Sequence, residues 1–451
     1  MSTVASISPA RKAAFQILVA IERGHFHSDD LLRGRAVNAL SSADRNLATA
    51  LVLGTLRWQI RLDAELRPLL KRPNARLDAE VLIALRLGAF QLLHMDRIPA
   101  HAAIGESVEL TQRAGHHFAS GMVNAVLRKL ETSRQSANRT APPAAKLVAQ
   151  THPSWLVDRW TSFYGLEAAC DICSHGQSQP PQIIRVANPG VADELATSGV
   201  HLEPGELLAS ARRVVSGDVA ATDAFREGRA WFQDEGSQLV AEIAGKGSQI
   251  LDCCAAPGGK TLILAERNPR ARIVACEASA PRLEQLRMRL ARFGDRIECR
   301  LLDVTKLDDE AACDLVLADV PCSGTGTLGR NPEIRHRLRM EDLPRQAARQ
   351  REILMAALRA VRPGGRVIYS TCSLEPEENE EVIQAVHSQY ADLRLIRIES
   401  RIEELRSEGA FAAHAADKLH RCITLDGALR LLPGVFHSDG FFVCVIERTR
   451  Q

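Results

Sequence analysis

Residues 248–261, SQILDCCAAPGGKT, pass from a short apolar strand through an acid and two cysteines into a loop of small residues and then a helix. Ala255, Ala256, Gly258 and Gly259 let the backbone approach a ligand closely, and the helix start offers unbonded amide groups. The stretch is neither G-x-G-x-x-G nor G-x-x-x-x-G-K-[ST], so nicotinamide dinucleotides and nucleoside triphosphates are disfavoured. Taken alone, such a loop also reads as a tight turn with packing glycines.

Outward from this loop, β-rich runs alternate with helices. Ile250–Leu251, Arg272–Cys276, Ile297–Leu302, Asp314–Ala318 and Arg366–Ser370 are expected strands, with helices over Pro281–Phe293, Arg345–Val361 and Pro376–Val386. This alternation predicts a parallel sheet covered on both faces, with ligands at the carboxyl ends of its strands. A late strand, Phe441–Ile446, follows a long connection and is expected as an antiparallel addition at the sheet edge. Upstream, the segment 152–232 reads as a small α+β module, with a helix around Trp155–Tyr164 and a strand at Gln182–Val186. Before it, Arg11–Leu130 reads as successive amphipathic helices, among them Leu47–Leu56, Leu62–Leu70, Val81–Leu93, Ile104–Leu110 and Met122–Leu130. The polar stretch Thr132–Pro143 reads as a linker.

The strand ends carry the chemistry. Glu277 closes the second strand, where a carboxylate can accept from ribose hydroxyls, and Asp303 follows the third, where an acceptor can meet an adenine amino group. Each alone is more simply a cap or loop acid. In succession after a small-residue loop, they point to an adenosine ligand without a pyrophosphate, and S-adenosylmethionine fits. The fourth strand delivers Asp319-Val320-Pro321-Cys322 and the fifth Ser370-Thr371-Cys372-Ser373. Enzymes that methylate exocyclic base amines place an aromatic ring where Cys322 stands. A thiol there suits a different reaction, methylation of carbon 5 of cytosine, which becomes nucleophilic only after a thiolate adds to carbon 6. A base must then remove the carbon-5 proton so that the sulfur is eliminated. Asp319 is placed to meet the N3 and amino edge of the ring and stabilise the charge that develops there. Residue chemistry alone leaves open which cysteine is the nucleophile.

The stretches LDCCAAPGGKT (251–261), ADVPCSGTGTLGRNPEIR (318–335), YSTCSLEPEENE (369–380) and LLPGVFHSDGFFVCVIE (431–447), with WFQDEGSQLVAEI (231–243), resemble the RNA 5-cytosine methyltransferases of the Sun/Fmu type, in the NOL1/NOP2/Sun superfamily. The resemblance implies that Cys372 is the nucleophile and that Cys322 assists product release. It places cofactor contacts on Cys254, Ala255, Ala256, Pro257, Gly258, Gly259, Lys260, Glu277, Asp303 and Asp319, with S-adenosyl-L-methionine as cofactor and no metal. Val320 and Cys253 depart from the usual residues beside these motifs. RKAAFQIL (11–18), DRNLATALVLGTLRW (44–58), LRLGAFQLLHMDRIPAHAAIGESVELTQ (85–112) and ASGMVNAVLRKL (119–130) resemble the NusB-type RNA-binding helical domain. That fusion is the arrangement of bacterial enzymes acting on small-subunit (16S) rRNA. The implied fold is multidomain: an all-α NusB-like bundle over 1–135, a small α+β module (ferredoxin-like or RRM-like) over 145–235, and an α/β Rossmann-like methyltransferase domain over 236–451. Two rivals remain open: a tRNA cytosine methyltransferase, and a non-catalytic RNA-binding assembly factor.

Composition agrees with an RNA partner. The 451 residues are 45% apolar and 25% charged, the profile of a chain with ample core. No apolar run approaches the ~20 residues that cross a bilayer, so a cytoplasmic location is expected. Eleven cysteines make no disulfide framework in a chain of this size and are expected as thiols, including Cys170 and Cys173. The net charge of +2 conceals two basic blocks, 18 Lys or Arg against 12 acids in residues 1–135 and ten Arg against four acids in 330–366. Guanidinium groups bind phosphate in bidentate fashion, so both blocks read as nucleic-acid surfaces or, equally from charge alone, as solvated helix faces; with the resemblance, the N-terminal bundle and Arg330, Arg335, Arg337 and Arg339 are the expected RNA grips. With aromatic residues at 4%, recognition by backbone charge and RNA shape is expected rather than a stacking platform. Nothing demands more than a monomer.

Overall fold

The computed structural model describes residues 7–24, 27–136, 151–307 and 311–450. The chain forms two compact units, Met1–Gln179 with Leu328–Arg337, and Pro180–Thr327 with Leu338–Gln451.

The first unit is helical. Its first helix, Pro9–Arg23, starts on Ser8, whose side chain accepts from the Arg11 amide, with proline at the first position. The two expected helices Leu47–Leu56 and Leu62–Leu70 are one, Ser42–Leu66, because nothing breaks the pattern until Pro68. Gly54, inside this helix, sits where an added Cβ would lie 2.0 Å from the Phe90 ring, so it serves close packing. Helices Ala79–His94, Ala100–Arg113 and Ser120–Ser136 complete the apolar core around Leu51, Leu85, Val123 and Leu127. The last of these corrects the linker reading: Thr132–Ser136 continue a helix whose end is polar, and 137–143 lie outside the described residues.

Helices Ser154–Tyr164 and Leu166–Gln177 also belong to this unit. So does the segment 328–337, and that overturns part of the charge reading. Arg335 is 1% exposed and donates to the carbonyl oxygens of Gly176 (2.7 Å), Thr151 (3.2 Å) and Leu328 (3.3 Å). Burial, with Arg57 nearby, pushes its pKa down to about 9. Arg337 donates to Ile21 O and Gly24 O, where the first helix leaves carbonyls without intrahelical partners. Glu333 is equally buried and accepts from the Ser28 amide and hydroxyl, each at 2.9 Å. Arg335 therefore holds protein carbonyls rather than RNA, while Arg337 is half-buried and Arg339 is exposed. In the N-terminal block, Arg11, Arg57 and Arg86 are interior as well.

The second unit contains two sheets. β1 (Ile183–Val186), β2 (His201–Pro204), β3 (Ala211–Ser216) and β4 (Ala230–Phe232) form an antiparallel sheet in the order β2-β3-β1-β4. Ile183, Leu207, Ala211 and Trp231 share one core with Leu239, Ile243 and Leu262 beneath the larger sheet. That sheet comprises β5 (Gln249–Asp252), β6 (Arg272–Glu277), β7 (Ile297–Leu301), β8 (Cys313–Asp319), β9 (Val361–Thr371), β10 (Leu393–Ile396), β11 (Leu429–Leu431) and β12 (Phe441–Arg448). Its order is β10-β12-β9-β8-β5-β6-β7, with β11 beside β12. β5 to β9 pair in parallel, as the alternation predicts. β12 is antiparallel but lies between β9 and β10, so its expected edge position is corrected. Six of its first residues are buried in a row, the pattern of a strand covered on both faces and flanked on both sides. The true edge strand, β10, is too short and mixed to show in the sequence. Among the described residues, no helix is long and apolar enough to cross a membrane.

Candidate active site

Strand order reverses between β5 and β8, so the loops after these strands splay apart and open a crevice at their carboxyl ends. The β5 loop turns on Gly258, whose φ of +96° only glycine adopts without strain, directly before the helix Gly259–Arg267. A cavity of about 430 Å³ opens there. Of the expected site residues, it is lined by Cys254, Ala256, Glu277, Asp303, Asp319, Cys322 and Cys372. Ala255, Pro257, Gly258, Gly259 and Lys260 shape the loop and helix behind it and are not in its wall.

The two acids keep hydrogen-bonding capacity. Glu277 is buried, accepts from the Ser279 amide through Oε1 (2.8 Å), and has Arg282 3.6 Å from Oε2. Asp303 caps a short 3₁₀ turn, and both hydrogen bonds, from the Thr305 amide and hydroxyl, fall on Oδ1. These bonds from Thr305 hold the Asp303 carboxyl below the usual range. The cap reading thus holds for Asp303.

At the other end of the cavity, β8 and β9 are adjacent and parallel, with Asp319 opposite Ser370. Asp319 accepts from Ser370 Oγ through Oδ1 and from Lys260 Nζ through Oδ2, both at 2.7 Å. Burial alone would lower the Lys260 ammonium, but the Asp319 carboxylate outweighs it and the pKa lies above its ordinary value. One strand residue plus a short extension carries each cysteine outward, and Cys322 Sγ lies 3.4 Å from Cys372 Sγ. The hydrogen bond to Cys372 and burial hold the Cys322 thiol well above its ordinary pKa. Cys253 and Cys254 are likewise pushed upward by burial.

Several residues of this site are absent from the sequence reading. Arg282 and Arg349 line the cavity, and Arg282 also donates to Ala256 O at 3.0 Å. Glu378 is fully buried behind the cysteines, with Gln350 donating to it at 2.9 Å. Gln350 was findable, since it interrupts the apolar stripe of Leu343, Ala347, Leu354 and Ala357 on helix Leu343–Ala360. Glu378, inside the acidic run EPEENE, looks like part of a solvated turn.

Comparison with known proteins is consistent with these observations. The model for the 16S rRNA methyltransferase RsmB/F family matches residues 243–447, and the NusB family model matches residues 8–132. The probable ribosomal RNA small subunit methyltransferase B of Bacillus subtilis (strain 168) is 32% identical, covering 97% of this chain and 98% of its own. Ribosomal RNA small subunit methyltransferase B of Pseudomonas putida is 35% identical over 83% of this chain and 88% of its own. The crystal structure of PH0851 shares the fold, with a TM-score of 0.78 and 23% identity over 98% of this chain and 99% of that one. Cavity, paired thiols, helical unit and full-length kinship lead to one assignment: the chain belongs to the ribosomal RNA small subunit methyltransferase B family.

Proposed function

We infer that this protein transfers a methyl group from S-adenosylmethionine to carbon 5 of a cytidine in small-subunit rRNA through a covalent cysteine–cytosine intermediate. The observation that carries the reading is the pair of sulfurs 3.4 Å apart beside Asp319, on a cavity with acids at two further strand ends. The cavity residues fit the cofactor. Glu277 suits ribose hydroxyls, Asp303 an adenine amino group, and the small residues Cys254 and Ala256 leave room for the nucleoside. When bound, S-adenosylmethionine supplies an electrophilic methyl group on a sulfonium.

The chain's own residues do the rest. The Cys372 sulfur adds to carbon 6 of the cytosine, which makes carbon 5 nucleophilic. Asp319, held by Ser370 and Lys260, meets the N3 and amino edge and stabilises the charge that develops on addition. After methyl transfer a base takes the carbon-5 proton, the electron pair of that bond restores the 5,6 double bond, the Cys372 sulfur leaves as thiolate, and Cys322 assists this release. Small-subunit rRNA as substrate is supported by the names of the full-length relatives. The target base must leave its stack to reach Cys372, and phosphate contacts offset that cost.

The test is a substrate RNA carrying 5-fluorocytidine, in which the departing proton is replaced by fluorine. A protein–RNA conjugate that survives denaturation and maps by mass spectrometry to Cys372 is expected, with none from Cys372→Ala. A conjugate on another residue, or none from the wild type, overturns the reading.

A further inference from the structure

Glu378 is a carboxylate with no exposed surface and no cationic partner among the described ion pairs. Removing such a group from water is costly, and four neutral donors compensate it. Oε1 accepts from the Ser323 amide (2.8 Å) and Gln350 Nε2 (2.9 Å), and Oε2 accepts from the hydroxyls of Ser323 and Ser373. Those hydroxyls are themselves 3.0 Å apart. Ser323 directly follows Cys322, and Ser373 directly follows Cys372. One buried carboxylate therefore ties together the two chain segments that carry the sulfurs. The arrangement is braced from behind, since Tyr369 OH donates to Glu378 O at 2.6 Å and Gln350 Nε2 also donates to Pro321 O at 2.9 Å.

We propose that Glu378 is a positioning residue that sets the separation of the two sulfurs and so couples bond formation at Cys372 to release by Cys322. This rests on the covalent mechanism above. Formation of the adduct uses Cys372 and Asp319 and not Cys322. Release also needs Cys322 held beside the occupied Cys372, so it is the step most sensitive to the distance between the two segments. Replacing one carboxylate oxygen by an amide group puts a donor where donors already converge, which forces the segments apart.

The experiment uses the full-length protein and unmodified substrate RNA in single turnover, following methyl incorporation and the denaturation-resistant adduct separately. For Glu378→Gln the adduct forms but clears at least about tenfold more slowly, since displacements near 1 Å are costly to reacting groups. The covalent fraction rises above that of the wild type, and adding Cys372→Ala abolishes it. Ser323→Ala with Ser373→Ala, which removes two donors and leaves the carboxylate, gives a smaller delay in the same direction and serves if Glu378→Gln does not fold. Equal slowing of methylation and adduct clearance, or no change in either, assigns Glu378 a purely structural role and overturns the proposal. Absence of a Cys372 conjugate from the wild type with 5-fluorocytidine RNA instead defeats the underlying mechanism.

Discussion

Gly326 offers a test of how tightly the site is built. An added Cβ would lie 2.5 Å from Gly440 O and 2.8 Å from Cys372 O, where ordinary contact begins near 3.4 Å. Both neighbours are backbone, so no side chain can swing away. The same residue donates its amide to Cys372 O (2.9 Å) and accepts from the Gly440 amide (2.8 Å), so a shift that relieves the overlap strains both bonds. Gly326→Ala must move the Cys372 backbone by roughly half an ångström or more, at about 1–3 kcal/mol for overpacking. Because misplacement by about 1 Å can cost 100-fold in rate, kcat/KM is expected to fall by roughly 10–100-fold. Thermal unfolding and methyl incorporation, measured on the same preparation, separate the two losses. Gly105→Ala is the control. It lies within helix Ala100–Arg113 with nothing within 4 Å of an added Cβ, and should match the wild type in rate. A Gly326→Ala enzyme that is folded and turns over normally would show that the cysteine loop is free to move, and the rigid-site reasoning would fail.

Asp252, 1% exposed at the end of β5, is pushed up to about 7 by burial, against the opposing hydrogen bond from Thr261. A carboxyl raised on folding contributes stability that is complete below its unfolded value near 3.9 and is lost as pH rises through about 7. The difference is of the order of 4 kcal/mol, so Asp252→Asn should overtake the wild type in denaturant unfolding above pH 7; parallel pH profiles for the two proteins contradict this. Arg335→Met leaves the carbonyls of Thr151 and Gly176 without this donor and should cost about 2–4 kcal/mol in thermal or denaturant unfolding; wild-type stability would return Arg335 to the list of RNA grips. RNA affinity should fall steeply with added salt, and Arg339→Ala, at an exposed position, should reduce the slope by about 0.7–0.9; an affinity indifferent to salt refutes the charge argument.

The parallel sheet and the cavity acids were legible because their signals are local. Buried parallel strands are continuous apolar runs, and a small-residue loop followed by acids at successive strand ends needs only strand length and order to be placed. The cysteines were legible for the same reason, since Cys322 and Cys372 each follow a strand that must pair with the other. Charge misled. Arg335 and Arg339 are identical in composition and four residues apart, yet one satisfies buried carbonyls and the other meets solvent, a difference set by which acceptors the rest of the chain brings near. Lys260 belongs to a cofactor-type loop by sequence, but the fold turns its ammonium to Asp319, beside the thiols.

The sequence by itself determined where the small-residue loop, the acids and the two cysteines fall, because each follows a strand whose length and order are local signals. Only the tertiary structure decided which carboxylate joins the two cysteine segments, and that residues 328–337 belong with the helical unit rather than with the sheet whose strands flank them in sequence. Those outcomes depend on burial and on donors and acceptors brought together from positions tens to hundreds of residues apart. No local pattern encodes such meetings, because desolvation and hydrogen bonding act across space rather than along the chain.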